Sequence, residues 1–310
     1  MKVFVAGASG VIGRPLVREL VAGGHEVTGV TSKAENAASI KAAGATAAVC
    51  DALDAKAVGT AVTDARPEVV INQLTRLPRE YNPRKIDYGP TNRARAEGGH
   101  NLIEAARAAG VRRFITQGIA FIYAPEGGMI KDEEARAWTD APEPFQGGVT
   151  AMLDHEREAT QTPGIEGVVL RYGQFYGPGT YYATDGNIAE QVRRRRFPVV
   201  GRGEAMFSFV HIDDAASATV ASLERGAPGV YNVVDDEPAP LREWLPLYAE
   251  ALGARRPRRV PTFLARLVAG QFAAALATEL RGASNAKAKR ELGWEPRYPS
   301  WRHGFREALG

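Results

Sequence analysis

The chain predicts an α/β fold, a doubly wound parallel sheet followed by a smaller C-terminal region. Three observations carry this expectation. Short apolar runs alternate with helix-patterned segments from residue 2 to residue 171. The glycine-rich turn Gly7-Ala8-Ser9-Gly10-Val11-Ile12-Gly13 directly follows the first apolar run. Past Gly173 the alternation fails, and Pro, Gly and aromatic residues become frequent.

Taken in order, residues 2–6 form a buried strand ending at Gly7, and 11–22 a helix with Pro15 in its first turn, where a missing N–H costs little. Gly23-Gly24 stops that helix. Strands follow at 26–30, 46–50 and 68–72, separated by helices over 33–43 and 54–65. A long loop interrupted by Pro78, Pro83 and Pro90 leads to a helix over 92–109 that stops at Gly110. A strand at 113–117, a second long loop, a helix at 149–161 and a strand at 167–171 complete the alternation. Right-handed crossovers make such a series a doubly wound sheet. Residues 1–173 are therefore read as a dinucleotide-binding domain. Residues 174–310 are read mainly as a substrate-binding region, with 230–234 returning to the sheet as an edge strand.

With 310 residues, 24% charged, 45% hydrophobic and a net charge of +3, the chain has ample material for a core. Disordered, collagenous and disulfide-built classes are excluded. A single cysteine, Cys50, forms no internal disulfide and points to a reducing compartment, hence a cytoplasmic protein. No apolar run approaches the roughly 20 residues that span a bilayer, and Met1–Val5 enters a strand pattern at once, leaving no room for a signal peptide. The small net charge gives no ground for a nucleic-acid partner. The run Arg193–Arg196 reads as an exposed helix face. No His/Cys/Asp grouping has metal-ligand spacing.

In the glycine turn, Gly7 permits the tight bend, Gly10 lets the backbone approach a pyrophosphate, and Gly13 lets the helix lie close to the sheet. The helix N-terminus adds unpaired N–H groups and a partial positive charge. Gly7, Ser9, Gly10, Val11, Ile12 and Gly13 are thus candidate cofactor residues. An acidic residue at the end of the second strand would bind the ribose 2′-OH of NAD. The sequence there is Val30-Thr31-Ser32-Lys33, without a carboxylate. Ser32 and Lys33, with Arg14, suit a 2′-phosphate, which favours NADP over NAD, while a solvated first-turn Lys33 is an alternative reading. Asp51, after the third strand, is expected to meet the adenine amino group or else to be a polar loop residue, and Ala52 beside it is a further cofactor candidate. Leu74 and Gln117, after the fourth strand and on the fifth, complete the cofactor set.

The landmarks GASGVIG at 7–13, Cys50-Asp51, GGHNLIEAA at 98–106, LRYGQFYGPG at 170–179, FVHIDDAA at 209–216 and ELGWEPRYPSWRHGF at 291–305 occur in one order along the whole chain. The chain resembles the extended short-chain dehydrogenase/reductase superfamily, in its NAD-dependent epimerase/dehydratase-like branch. That resemblance implies a Rossmann fold, a nicotinamide cofactor, and a homodimer through the helices at 92–109 and 149–161. It also implies a catalytic Ser/Thr, Tyr and Lys, which this sequence lacks. Ile119 stands at the serine position, Gly148 at the tyrosine and Met152 at the lysine. The one YxxxK, Tyr81-Asn82-Pro83-Arg84-Lys85, contains a proline and lies off the long helix, and is read as coincidence. Phe207 occupies the position where sugar-nucleotide members carry an arginine, and Gln174 that of a common asparagine. An apolar ring does not pair with a diphosphate.

By position, Tyr123 is the best remaining proton donor, with Thr75 behind it; an aromatic packing role is the alternative for Tyr123. Phe121, Phe145, Gln174, Tyr176 and Phe207 are expected to line an aromatic, mostly apolar substrate pocket, or else to be core. His155 is expected to face solvent or a partner subunit, and Asp213 and Asp214 to cap the following helix. Three functions follow. The first is an NAD(P)-dependent oxidoreductase for a small hydrophobic carbonyl, enone or quinone-like substrate. The second is an NAD-dependent sugar-nucleotide epimerase or dehydratase, and the third a non-redox isomerase, cyclase or nucleotide sensor.

Overall fold

The computed structural model describes residues 1–78, 80–82 and 86–309. Its centre is a seven-stranded, wholly parallel sheet. The strands are β1 (Lys2–Ala6), β2 (Glu26–Thr31), β3 (Thr46–Val49), β4 (Val69–Asn72), β5 (Arg113–Ile119), β6 (Glu166–Tyr172) and β7 (Gly229–Val233). They lie in the order β7-β6-β5-β4-β1-β2-β3, so the chain reverses direction across the sheet between β1 and β4. Ligands of such sheets bind beyond the strand C-termini at that reversal. The doubly wound expectation is met. The strands read as continuous Val/Ile runs because both faces are covered.

Helix α1 (Gly13–Ala22) buries Leu16, Val17 and Leu20 against one face. Helix α2 (Ala37–Ala42) adds Ile40 there, and α3 (Ala55–Ala65) buries Val58 and Val62 on the other. The expected helix over 33–43 is shorter, because Lys33 is extended and Ala34–Asn36 forms a 3-10 turn. There the Asn36 amide reaches back to Ser9 Oγ and Thr31 Oγ1. The segment expected as one helix over 92–109 starts earlier. It comprises α4 (Gly89–Arg93), with Pro90 in its first turn, a π-helical turn at Ala94–Gly98, and α5 (Gly99–Ala108). Helix α6 (Phe145–Gln161) also begins four residues before expectation and runs through Gly147 and Gly148. Lys85, of the coincidental YxxxK, lies outside the described residues.

Two further expectations are corrected. Helix α7 (Asn187–Arg193) ends inside the arginine run, with Arg195 left-handed at φ 54°, so the run is a helix terminus and not a helix face. Helix α8 (Ile212–Ala221) is capped by His211, whose Nδ1 accepts from Asp213 N. Asp214 instead accepts from Arg297 N and Tyr298 N, fastening the C-terminal segment.

Past β6 a second core forms around Trp244, Phe209, Tyr182, Tyr248, Trp301 and Phe305. Ring centroids there lie 4.8–6.4 Å apart, edge-to-face or tilted apart from the stacked Tyr182–Phe305 pair. Helices α9 (Leu241–Ala251), α10 (Thr262–Glu279) and α12 (Trp301–Leu309) build this part, whereas α11 (Ala286–Leu292) packs Ala288 and Leu292 into the sheet core shared with α1 and α8. Among the described residues no helix is long and apolar enough to cross a membrane.

Candidate active site

Gly7 has φ 82°, and a Cβ there would fall 2.6 Å from Gln73 O at the end of β4. A Cβ on Gly13 would stand 2.2 Å from Gly7 O. The turn is therefore closed by backbone against backbone, and Gly10 N donates to Gly7 O within it (2.9 Å). Helix α1 has neither a side-chain cap nor an acidic first-turn residue. Among the described residues, the N–H groups of Val11 and Ile12 find no acceptor. An uncapped helix start at the sheet's reversal fits a dinucleotide pyrophosphate.

Ser9 Oγ donates to Thr31 Oγ1 (3.1 Å), and Ser32 and Lys33 are exposed beyond β2, on the side where the adenosine ribose would lie. The expected adenine carboxylate, Asp51, is exposed and paired with Arg76 at 3.1 Å. Ala52 O accepts from Asn101 Nδ2, and Gly98 passes so close that its Cβ would lie 3.3 Å from both Ala52 Cβ and Leu74 Cδ1. Gln117 Nε2 donates to Leu74 O (2.8 Å), tying the ends of β4 and β5. The candidate cofactor residues thus lie along the C-terminal ends of β1–β5. Thr75 is exposed in the loop just beyond Leu74.

His155 is not solvent-facing. It is 2% exposed, and its Nε2 lies 2.8 Å from Thr116 Oγ1 and 3.2 Å from Asn72 Nδ2. Asn72 Oδ1 accepts from Leu74 N, so its amide nitrogen faces the ring and His155 Nε2 is an acceptor. Burial, with a smaller contribution from Arg95, lowers the imidazole pKa to about 4, leaving it neutral.

Tyr123, the expected proton donor, is fully buried. Its hydroxyl donates to Asn232 Oδ1 (2.6 Å) and accepts from Arg171 Nη1 (3.1 Å), while Arg171 pairs with Glu156 at 2.6 Å. Burial raises its pKa to about 12, against the opposing pull of Arg171. A hydroxyl so enclosed packs and anchors, and the donor expectation gives way to that role. Tyr176 and Phe207 are likewise core residues. Tyr176 is wedged between His211 and Phe305 at 5.1 Å each, and Phe207 packs at a tilt on Trp244 at 5.0 Å. Gln174 is half-buried and pairs with Phe209 beside the second core. Phe121 and Phe145 are brought together, stacked at 6.5 Å and 11°. Phe272 packs on Phe145 at 6.0 Å, and Tyr88 meets Phe272 edge-on at 6.3 Å.

One polar group beside these rings was not expected from sequence. Thr91, Asn92 and Arg95 lie along one face of α4 and the π-helical turn. Thr91 Oγ1, Asn92 Oδ1 and Arg95 Nε are buried without a hydrogen-bond partner. The readable signal was periodicity, since 91, 95, 98, 102 and 106 form one buried stripe and a cation stands on it.

The family model described as the NAD dependent epimerase/dehydratase family matches residues 3–233. The chain belongs to the NAD-dependent epimerase/dehydratase family. A Streptomyces "3-diazoavenalumate denitrifying reductase" is 47% identical over 308 residues, 98% of this chain and 99% of that protein. A Stenotrophomonas maltophilia "2-alkyl-3-oxoalkanoate reductase" is 26% identical over 85% of this chain and 79% of its own length. The Thermus thermophilus UDP-glucose 4-epimerase, solved with NAD, superposes with a TM-score of 0.73 at 26% identity, covering 99% and 97% of the two chains. The human epimerase family protein SDR39U1, solved with NADPH, has a TM-score of 0.76 at 21% identity over 99% of each chain and shows the shared fold.

Ile119, Gly148 and Met152, expected at the three catalytic positions, carry no titratable side chain. Ile119 closes β5, Met152 is fully buried, and Gly148 lies on α6 with its Cβ direction 3.9 Å from Asn92 Oδ1. None of the three donates or accepts a proton through its side chain.

Proposed function

We propose that this protein is an NAD(P)H-dependent reductase, preferring NADPH, whose substrate accepts a hydride without needing a proton from the protein. An arenediazonium is the substrate class favoured. The observation that carries this reading is Gly148 and Met152 on α6, where the resemblance puts the family's tyrosine and lysine. Reducing an isolated ketone leaves an alkoxide, which needs an acid at hand. Adding one hydride to the terminal nitrogen of an arenediazonium gives an aryl diazene, which loses N2 and keeps the hydrogen on the ring. Two electrons and one hydrogen enter, one N2 leaves, and no further proton is required. The 47% identical relative, a denitrifying reductase of a diazo compound, supports the same class.

The cofactor, when bound, supplies the hydride. The chain's own residues bind and orient. The amides of Val11 and Ile12 and the Gly7–Gly13 turn suit the pyrophosphate, and Ser32 and Lys33 suit a 2′-phosphate. The half-buried ring of Phe121, backed by the buried Phe145, offers a flat apolar face to an aromatic substrate. A core phenylalanine at 207 and the absent catalytic pair weigh against a sugar nucleotide. By family resemblance we also expect a homodimer through α5 and α6, checked by sedimentation equilibrium.

The test is anaerobic incubation of the full chain with NADPH, NADH and a 3-diazonium-4-hydroxycinnamate, following cofactor absorbance, N2 and 4-hydroxycinnamate. One NADPH consumed per N2 and per arene formed is expected. No consumption above the uncatalysed rate, or equal turnover of a simple unconjugated ketone, would sink the proposal.

A further inference from the structure

Arg95 is 8% exposed, its Nε is sealed from solvent, and it makes no hydrogen bond or ion pair with any described residue. A guanidinium has five donors and no means of shedding its charge near neutral pH. Burying one without an anion costs several kcal/mol, so such groups are normally paired. The carboxylate that acts on it electrostatically, Glu156, is already committed to Arg171 through both oxygens, at 3.0 and 2.6 Å. Burial lowers the Arg95 pKa to about 10, with Tyr88 and Glu156 opposing, so the group stays cationic.

The surroundings select the kind of anion. Asn92 Oδ1, one turn before Arg95 on the same face, is also without a partner and points towards Gly148, where the family's tyrosine would stand. Tyr88 begins this stripe and links it to Phe272, Phe145 and Phe121. The stripe thus combines an uncompensated cation, an orphan acceptor and a run of aromatic faces. Phosphate-binding features lie elsewhere, at the start of α1 and the end of β2.

We propose that Arg95 is the anion subsite for the substrate, and that the ligand it takes is a planar aromatic carboxylate. This deepens the reductase reading by naming the ligand of the same site. The planar guanidinium suits a carboxylate through two parallel N–H···O bonds. Asn92 Oδ1 accepts from a hydroxyl on the same ligand.

The experiment titrates the NADP-saturated full chain with 4-hydroxycinnamate and with its methyl ester, in wild type, R95Q and R95K. NADPH affinity and thermal midpoint are measured alongside. The acid is expected to bind at least about tenfold tighter than the ester in wild type, and R95Q to lose that preference. R95K should keep part of it. NADPH affinity should stay within about twofold, and the R95Q midpoint should not fall, because an unpaired buried charge has been removed. Four results would overturn the proposal. They are equal affinity for acid and ester in wild type, no binding of either, an unchanged preference in R95Q, or a large loss of NADPH affinity in R95Q, which would make the anion the cofactor's. If arenediazonium reduction fails while the Arg95-dependent acid preference holds, the reaction is wrong and the subsite stands. The opposite pattern removes the subsite alone.

Discussion

His155 sits where its neutral form is enforced: Thr116 and Asn72 occupy Nε2, and the ring lies against Gly99. Its folded pKa of about 4 lies below the ordinary 6.5, so the native state binds fewer protons than the unfolded chain between those values. The stabilisation is fully present above the unfolded pKa and is lost as pH falls through the folded one, by up to about 3 kcal/mol. Urea unfolding at pH 7 and pH 4.5 should therefore show a steeper loss in wild type than in His155→Gln; parallel losses would refute it. Glu156 is the second sensitive position. Burial works against the charge of Arg171, and the hydrogen bonds it donates to Glu156 outweigh that and raise the arginine's pKa. Glu156→Gln should cost about 3–5 kcal/mol in denaturant unfolding, because it leaves Arg171 buried without its counter-charge. Neither role was legible in sequence. His155 had been expected at a surface, since the pattern of α6 alone does not say which neighbouring helix covers it.

The glycine turn was the most readable element, because its chemistry is local: a strand, a bend that tolerates φ 82°, and a helix start within thirteen residues. Gly13→Ala would force a methyl group to 2.2 Å from Gly7 O, where backbone cannot yield. It should weaken NADPH binding by more than about tenfold by calorimetric titration while leaving the chain folded; unaltered affinity would mean the turn does not hold the cofactor. Gly99→Ala tests helix packing instead. Its Cβ would meet His155 Cε1 at 2.4 Å, and a destabilisation of roughly 1–3 kcal/mol is expected in thermal or denaturant melts. The elements that escaped the sequence reading did so for tertiary reasons. Helix α6 ran on through Gly147-Gly148 because Phe145 at its head packs into an aromatic cluster that its own sequence does not reveal. Tyr176 and Phe207 looked like pocket residues because composition distinguishes an aromatic core from an aromatic cleft poorly, and only the placement of Trp244, Phe209 and Phe305 decides.

Across the whole molecule, the sheet is tied to the later segments by few, heavily bonded side chains. Arg113 at the start of β5 is 3% exposed; it donates to Ser222 O, Arg225 O and Gly226 O and pairs with Glu166. Arg113→Met strands those carbonyls and should lower unfolding free energy by about 4 kcal/mol, with earlier proteolysis at 222–226; an unchanged melt would show the tie to be redundant. Asp235 does similar work at the other end, accepting from Trp301 N to hold α12 against the second core. Arg95, unlike Arg113, has no carbonyl or carboxylate partner among the described residues, and that has a consequence for discrimination. An uncharged molecule of the right shape would close off the last water from that guanidinium and offer nothing in return. If Arg95 is the substrate's anion subsite, neutral look-alikes are turned away by a desolvation penalty, not merely outcompeted.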